Sequence, residues 1–251
     1  ESGAAGLLSG IQLHPVEGDE GLLEPEQITA AIRPAGEVFP PTRVVSVENT
    51  ANQAGGVVYP LDRIEAIAQT ARKNDLHPHL DGARLWNASA AHDVPERAYA
   101  APFDLTWVAL SKGLGAPAGS VVAGPQPLID AARRTRKRFG GGMRQAGILA
   151  AAGLYALDHH RPHLSDDHAK AQHLAETIAD LPSFEIDLDR VETNIVIFEV
   201  VDGTAASVVD TMEGHGVHLT PFGPTTIRAT THRDVSMAEV NEASTVLRSA
   251  Y

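Results

Sequence analysis

The chain has 251 residues, 43% hydrophobic and 21% charged, the composition of a folded globular protein and not of a disordered one. Acidic residues outnumber basic ones 32 to 20, and the resulting net charge of −12 repels phosphate, which argues against nucleic-acid coating or an anionic membrane surface. With no cysteine, disulfide frameworks, thiolate zinc sites and cysteine nucleophiles are excluded.

In chain order, Thr42 to Glu48 (TRVVSVE) is a β-branched run that predicts a buried strand. Pro60 then opens an apolar pattern (Leu61, Ile64, Ile67, Ala68, Ala71) at helical spacing. Leu76 to Asp81, Leu105 to Leu110 and Gly119 to Ala123 read as further strands, and Ala83 to Ala90 as a helix. Pro127 to Arg138 and Arg144 to Leu157 read as helices, the second apolar on most sides and so expected to be buried. Strands alternating with helices predict a mostly parallel sheet in an α/β fold.

A connecting helix from Leu164 to Leu181 is ended by Pro182. Asn194 to Val200, a helix near Ala205 to Glu213, Thr225 to Thr231 and a last helix from Ser236 then predict a small C-terminal α/β domain. Ser236 with Glu239 forms a capping box. The expected division is a large domain over 1–158, a connector over 159–182 and a small domain over 183–251. No apolar run approaches the roughly 20 residues of a membrane span. The first residues show no secretory pattern, so the expected setting is cytoplasmic.

Three segments carry candidate chemistry. In Ala109-Leu110-Ser111-Lys112-Gly113-Leu114-Gly115 a lysine follows an apolar strand, where open α/β sheets bind ligands. An apolar setting there favours the neutral, nucleophilic amine, whereas the bland alternative is a surface lysine in a Gly-rich turn. His79-Leu80-Asp81-Gly82-Ala83-Arg84 places an acid and an arginine at a strand end, either for one planar ligand or as a simple helix cap. Arg133 to Gln145 is a basic run broken by Gly140, Gly141 and Gly142. It reads as an anion site at a helix start, or as a solvated basic face.

Together, ENTANQAGG (Glu48 to Gly56), HLDGARLWNA (His79 to Ala88), LSKGLGAPAGS (Leu110 to Ser120), GGGMRQAGILAAAG (Gly140 to Gly153) and a tail with Thr193-Asn194-Ile195-Val196 and Ile227 to Val235 resemble the low-specificity L-threonine aldolases. These are pyridoxal phosphate (PLP) enzymes of fold type I. The resemblance implies cleavage of L-threonine or L-allo-threonine to glycine and acetaldehyde. It implies that Lys112 forms the Schiff base with PLP, that Asp81 pairs with the pyridinium nitrogen and that Arg84 meets the phenolic oxygen. Arg228 would hold the substrate carboxylate, and Glu48, Asn49 and Thr50 would line the substrate end. Lys137 and Arg144 would approach the cofactor phosphate of a neighbouring subunit in a homotetramer. The expected partner is a small amino acid, with no nucleic acid, membrane or metal. Alternatives are a β-eliminating lyase on another β-substituted amino acid and a non-catalytic remnant.

The sequence departs from the family pattern twice. Ala51 stands where the family has a histidine near the substrate hydroxyl, which leaves the base for that proton unassigned. Family chains also carry a preceding region, on the order of 80–90 residues, with a Gly-Thr phosphate cradle and a ring-stacking histidine. The chain is therefore expected to be a fragment, a cleaved product or a stretch of a longer chain, holding part of the cofactor site. The histidines His159, His160, His163, His168 and His173 read as polar helix residues in preference to a metal site, and the sequon Asn87-Ala88-Ser89 carries no expectation.

Overall fold

The computed structural model describes residues 2–34 and 36–251. The elements in order are α1 (Ala4–Ser9), α2 (Pro25–Ala31), β1 (Val44–Glu48), α3 (Leu61–Lys73), β2 (His77–Gly82), α4 (Leu85–His92), α5 (Glu96–Ala100), β3 (Leu105–Ala109) and β4 (Ser120–Ala123). They continue with α6 (Gln126–Arg138), α7 (Gly147–His159), α8 (Leu164–Ala179), β5 (Phe184–Glu185), β6 (Ile195–Val200), α9 (Ala205–Glu213), β7 (Thr220–Pro221), β8 (Thr226–Thr230) and α10 (Met237–Ala250). The predicted strands and long helices fall within a few residues of these. The short α1, α2 and α5 and the two-residue β5 and β7 carry too few periodic residues to be read from sequence.

The first sheet has the order β1-β2-β3-β4, parallel except for the antiparallel β4. Strand alternation sorts its two faces. Val47 and Leu80 point into a core with Ile64 and Ile67 of α3, which buries Ile64, Ile67, Ala68 and Ala71 on one stripe. Asp62 in the first turn of α3 and Arg72 and Lys73 in its last complement the helix dipole. The opposite face carries Ser46, Glu48, His79, Asp81 and Trp107, and it holds the chemistry described below.

The second sheet, β5-β6-β8-β7, is antiparallel throughout. Val196, Phe198 and Val200 pack with Leu174 and Ile178 of α8, Val208 and Met212 of α9, and Val240 and Leu247 of α10. The Ser236 side chain accepts from Glu239 N–H while Glu239 caps Ser236 N–H in return, as the capping box predicts.

The expected burial of the helix after Arg144 does not hold. In α7 only Gly153 and Ala156 are buried, while Ile148 is 83% exposed and Leu154 and Tyr155 are also open. One narrow stripe of α7 packs against the cluster of Leu114, Ala116 and Leu164, while Ile148, Leu154 and Tyr155 stay largely open to solvent. Both faces of β4 are exposed as well, and α6 buries no residue fully.

Candidate active site

Three parallel strands deliver the central residues. Glu48, Asp81 and Trp107 are register partners across β1, β2 and β3, so they stand in a row on one face near the carboxyl ends of these strands. One step back, Ser46 pairs with His79, and Ser46 Oγ lies 2.8 Å from His79 Nδ1. Burial pushes the His79 imidazole down, with Asp81 opposing, so the ring is held toward its neutral form.

Asp81 is oriented by its own chain, since Ala83 N–H donates to Oδ1 at 3.0 Å. Arg84 takes the N-cap position of α4. Burial pulls its guanidinium down and nearby Arg228 adds to this, while Glu48 and Asp81 oppose. Glu48 is half-buried, and burial raises its carboxyl above the ordinary 4.5. Asn52 N–H donates to Glu48 Oε2 at 3.1 Å and lowers it, Asp81 raises it, and Arg84 and Lys112 lower it.

Lys112 follows β3 in a turn closed by Gly115 N–H to Lys112 O (2.8 Å) and Ala116 N–H to Leu110 O (3.0 Å). The apolar enclosure expected from its sequence neighbours is not present: Lys112 is exposed, with Nζ 5.9 Å from the Trp107 ring centroid. The turn puts its one large apolar side chain, Leu114, into the core and leaves the lysine outward. The β3 end is fixed from beneath, where Trp86 Nε1 donates to Ala109 O at 2.9 Å and His160 Nδ1 lies 2.6 Å from Leu114 O.

The second sheet supplies Arg228. Its Nη1 donates to Asn52 Oδ1 at 3.4 Å, its guanidinium lies 4.9 Å from the Phe222 ring centroid, and its buried Nε has no hydrogen-bond partner among the described residues. Asn52 thus touches Glu48 with its backbone and Arg228 with its side chain. Among the described residues neither Arg84 nor Arg228 has a carboxylate within 4.0 Å, so two guanidiniums stand ready for ligand anions.

Other expectations meet a different geometry. Asn49 and Thr50 are wholly buried, so they back the site from behind and do not line it. The chain bends inward after β1, where Asn49 N–H donates to Asp81 O and Asn49 Oδ1 accepts from Tyr59 N–H. Lys137 and Arg144 are exposed on α6 and the following turn, and no hydrogen bond or ion pair among the described residues links them to Asp81, Arg84 or Arg228. His159 to His173 serve separate local contacts, and no group of three or more metal-ligating side chains occurs among the described residues.

Sequence reading missed Asn52, His79, Trp86 and Trp107. The signal for His79 was present, because a residue two before Asp81 on a strand shares its face. Asn52 and Trp86 act through contacts that only the fold creates.

An exposed amine at a strand end, a fixed carboxylate on the neighbouring strand and two arginines are gathered here. The amine, the oriented Asp81 carboxylate and Arg84 fit PLP, the cofactor of fold type I enzymes, and the orphaned Arg228 Nε leaves a donor for a second anion. The beta-eliminating lyase family profile matches residues 1–202, and the chain belongs to that family. It is 38% identical over 247 residues to low-specificity L-threonine aldolase 1 of Arabidopsis thaliana, across 96% of this chain and 69% of that protein. It is 42% identical over 159 residues to the alanine racemase TOXG of Cochliobolus carbonum, across 62% of this chain and 40% of that one. The fold matches a crystal structure titled as a putative L-allo-threonine aldolase from Listeria monocytogenes. That match has a TM-score of 0.81 at 19% identity and covers 99% of this chain and 70% of that one.

Proposed function

We propose that this chain cleaves L-threonine or L-allo-threonine to glycine and acetaldehyde as a PLP-dependent aldehyde-lyase, the activity named for its Arabidopsis relative being a threonine aldolase. The observation that carries this reading is the row of Glu48 and Asp81 beside Lys112 and Arg84, with Arg228 reaching the same place through Asn52.

When bound, PLP supplies an aldehyde that condenses with amines and a protonated ring that draws electrons from bonds at the α-carbon of an amino acid. Lys112 Nζ would hold the cofactor through its aldehyde carbon. Asp81, with Oδ1 held by Ala83 N–H, would keep the ring nitrogen protonated through its second oxygen. Arg84 would meet the phenolic oxygen. Arg228 fixes the substrate carboxylate with its planar fork, which orients the Cα–Cβ bond. Ala51 offers no imidazole for the β-hydroxyl proton, and Glu48 takes that place. Its Oε2 is held by Asn52 while Oε1 accepts the proton, and burial raises its carboxyl toward the range of a general base.

On this reading the chain divides into a large domain over 1–158, a connector over 159–182 and a small domain over 183–251. A homotetramer in the cytoplasm completes the reading. The apolar side chains left open on α7 suit a subunit interface, and Lys137 and Arg144 would reach the neighbouring cofactor phosphate. Among the described residues no helix is long and apolar enough to cross a membrane.

Incubation with PLP and L-threonine tests the activity. Glycine and acetaldehyde in equal amounts support it. Keto acid and ammonia from a substrate with a good β-leaving group, without glycine from threonine, would replace it with β-elimination. The racemase relative adds a third outcome, interconversion of L- and D-alanine without carbon–carbon cleavage.

A further inference from the structure

The turn after Lys112 lies against helix α4 at one residue. A methyl group added at Gly113 would stand 3.0 Å from both Asn87 Oδ1 and Leu164 Cδ2, so the turn is seated directly on the Asn87 amide. Asn87 is 1% exposed, which leaves its sequon closed to glycosylation in the folded chain. Both hydrogens of its Nδ2 are used. One is donated to Asn194 Oδ1 at 3.2 Å and the other to His168 Nε2 at 3.1 Å. Asn194, 4% exposed just before β6, donates in turn from its Nδ2 to Thr231 O at 2.8 Å. Thr231 N–H returns to Asn194 O at 3.0 Å, and Thr231 lies three residues beyond Arg228 on the same strand run.

These contacts form one continuous buried path from the Lys112 turn to the strand that carries Arg228. The chain joins two sheets that share no strand. We propose that Asn87, with Asn194, is a positioning residue that holds the cofactor-binding lysine and the carboxylate-binding arginine in one register, which rests on the active-site reading above. Asn87 is suited to this because its amide can stay rigid and satisfied without a net charge, whereas a hydrophobic residue would orphan Asn194 Oδ1 and the imidazole. The run after Arg228 also reaches the turn directly. Gly115, at φ +67°, leaves room for Arg233, whose Cδ would lie 2.9 Å from an added methyl group.

The path predicts that damage at either end is felt at both ligands. Asn87→Ala and Asn194→Ala should each raise the PLP dissociation constant and the KM for L-threonine, by roughly three- to thirtyfold. The double variant should be no worse than the worse single one, because one path is broken only once. PLP affinity and KM that stay at wild-type values, or losses that multiply in the double variant, overturn the proposal. So does a lower melting temperature with unchanged KM, the mark of a residue that only packs. Should the alanine variants fail to fold, Gly113→Ala presses on the Asn87 amide from the turn side. It must weaken PLP binding, and wild-type binding there overturns the proposal. Lys112→Ala separates the two levels: if borohydride still fixes PLP to that variant, the active-site reading fails, whereas failure of the Asn87 path alone leaves it standing.

Discussion

Glu48 and Asp81 are register partners at the carboxyl ends of β1 and β2, and the charge of Asp81 adds to the burial that makes ionisation of Glu48 unfavourable. Parallel pairing fixes the two backbone positions side by side, so a slip of β1 along β2 does not relieve it. The folded state holds the Glu48 proton more tightly than the unfolded chain does. Its stabilising effect is therefore full below pH 4.5 and is lost as pH rises through the elevated folded value. Glu48→Gln should match the wild type in stability in acid and exceed it near neutrality, read as the difference in denaturant midpoint across pH. If Glu48 is the hydroxyl base, the same variant loses on the order of 10²- to 10⁴-fold in kcat and loses the acid limb of the pH–rate profile.

Lys112 is exposed and its turn is closed by backbone bonds, so Lys112→Ala should change stability by no more than about 0.5 kcal/mol. Turnover should vanish. Mass spectrometry after PLP and borohydride treatment should show one bound cofactor on the wild type and none on the variant.

Arg228 presents an unpartnered Nε and lies over Phe222, a geometry that a lysine ammonium does not reproduce. Loss of one charge-assisted hydrogen bond, about 1.5–3 kcal/mol, should raise the KM for L-threonine in Arg228→Lys on the order of ten- to hundredfold. PLP affinity should change far less, and steady-state kinetics beside a PLP titration separates the two.

Much of this was legible in the sequence because period-2 and period-3.6 patterns are local. TRVVSVE, the Ile64–Ile67–Ala68–Ala71 stripe and the Ser236–Glu239 box each specify their element within one window, and the fold agrees on the elements, although β1 is not the buried strand expected: only Val47 of it is buried, and Val44 is open. The site was legible as far as its residues sit at strand ends. The outward placement of Lys112 and the burial of Asn49 and Thr50 were not, since both depend on which side of a turn meets the core. The burial of α7 was misjudged for a related reason. An apolar helix says that something covers it, not that its own chain does.

That helix gives its own prediction. Ile148→Arg places a charge on an uncovered apolar stretch and leaves the core alone. The variant should fold with an unchanged melting temperature when monomeric, yet show a lower mass by sedimentation than the wild type. An unchanged mass would count against α7 as a subunit interface.

Asp167 and Lys170 form a buried pair on α8 at 2.5 Å, and Lys170 Nζ also donates to His232 O and Val235 O. Lys170→Ala leaves a carboxylate buried without its cation and should cost about 3–5 kcal/mol. Chemical denaturation measures this directly. Lys170→Met would be no milder, because the orphaned charge and not the lost volume sets the loss.

Helix α4 carries Arg84 at its cap, Trp86 under Ala109 and Asn87 under Gly113, all within seven residues of Asp81. Each residue of an α-helix advances about 100° around its axis. One residue gained or lost between Asp81 and Asn87 would turn the Trp86 and Asn87 side chains away from the lysine turn while leaving the carboxylate on its strand. Chain length in this stretch is therefore a harder constraint than residue identity, and natural or engineered variation here should come as substitution and not as insertion or deletion.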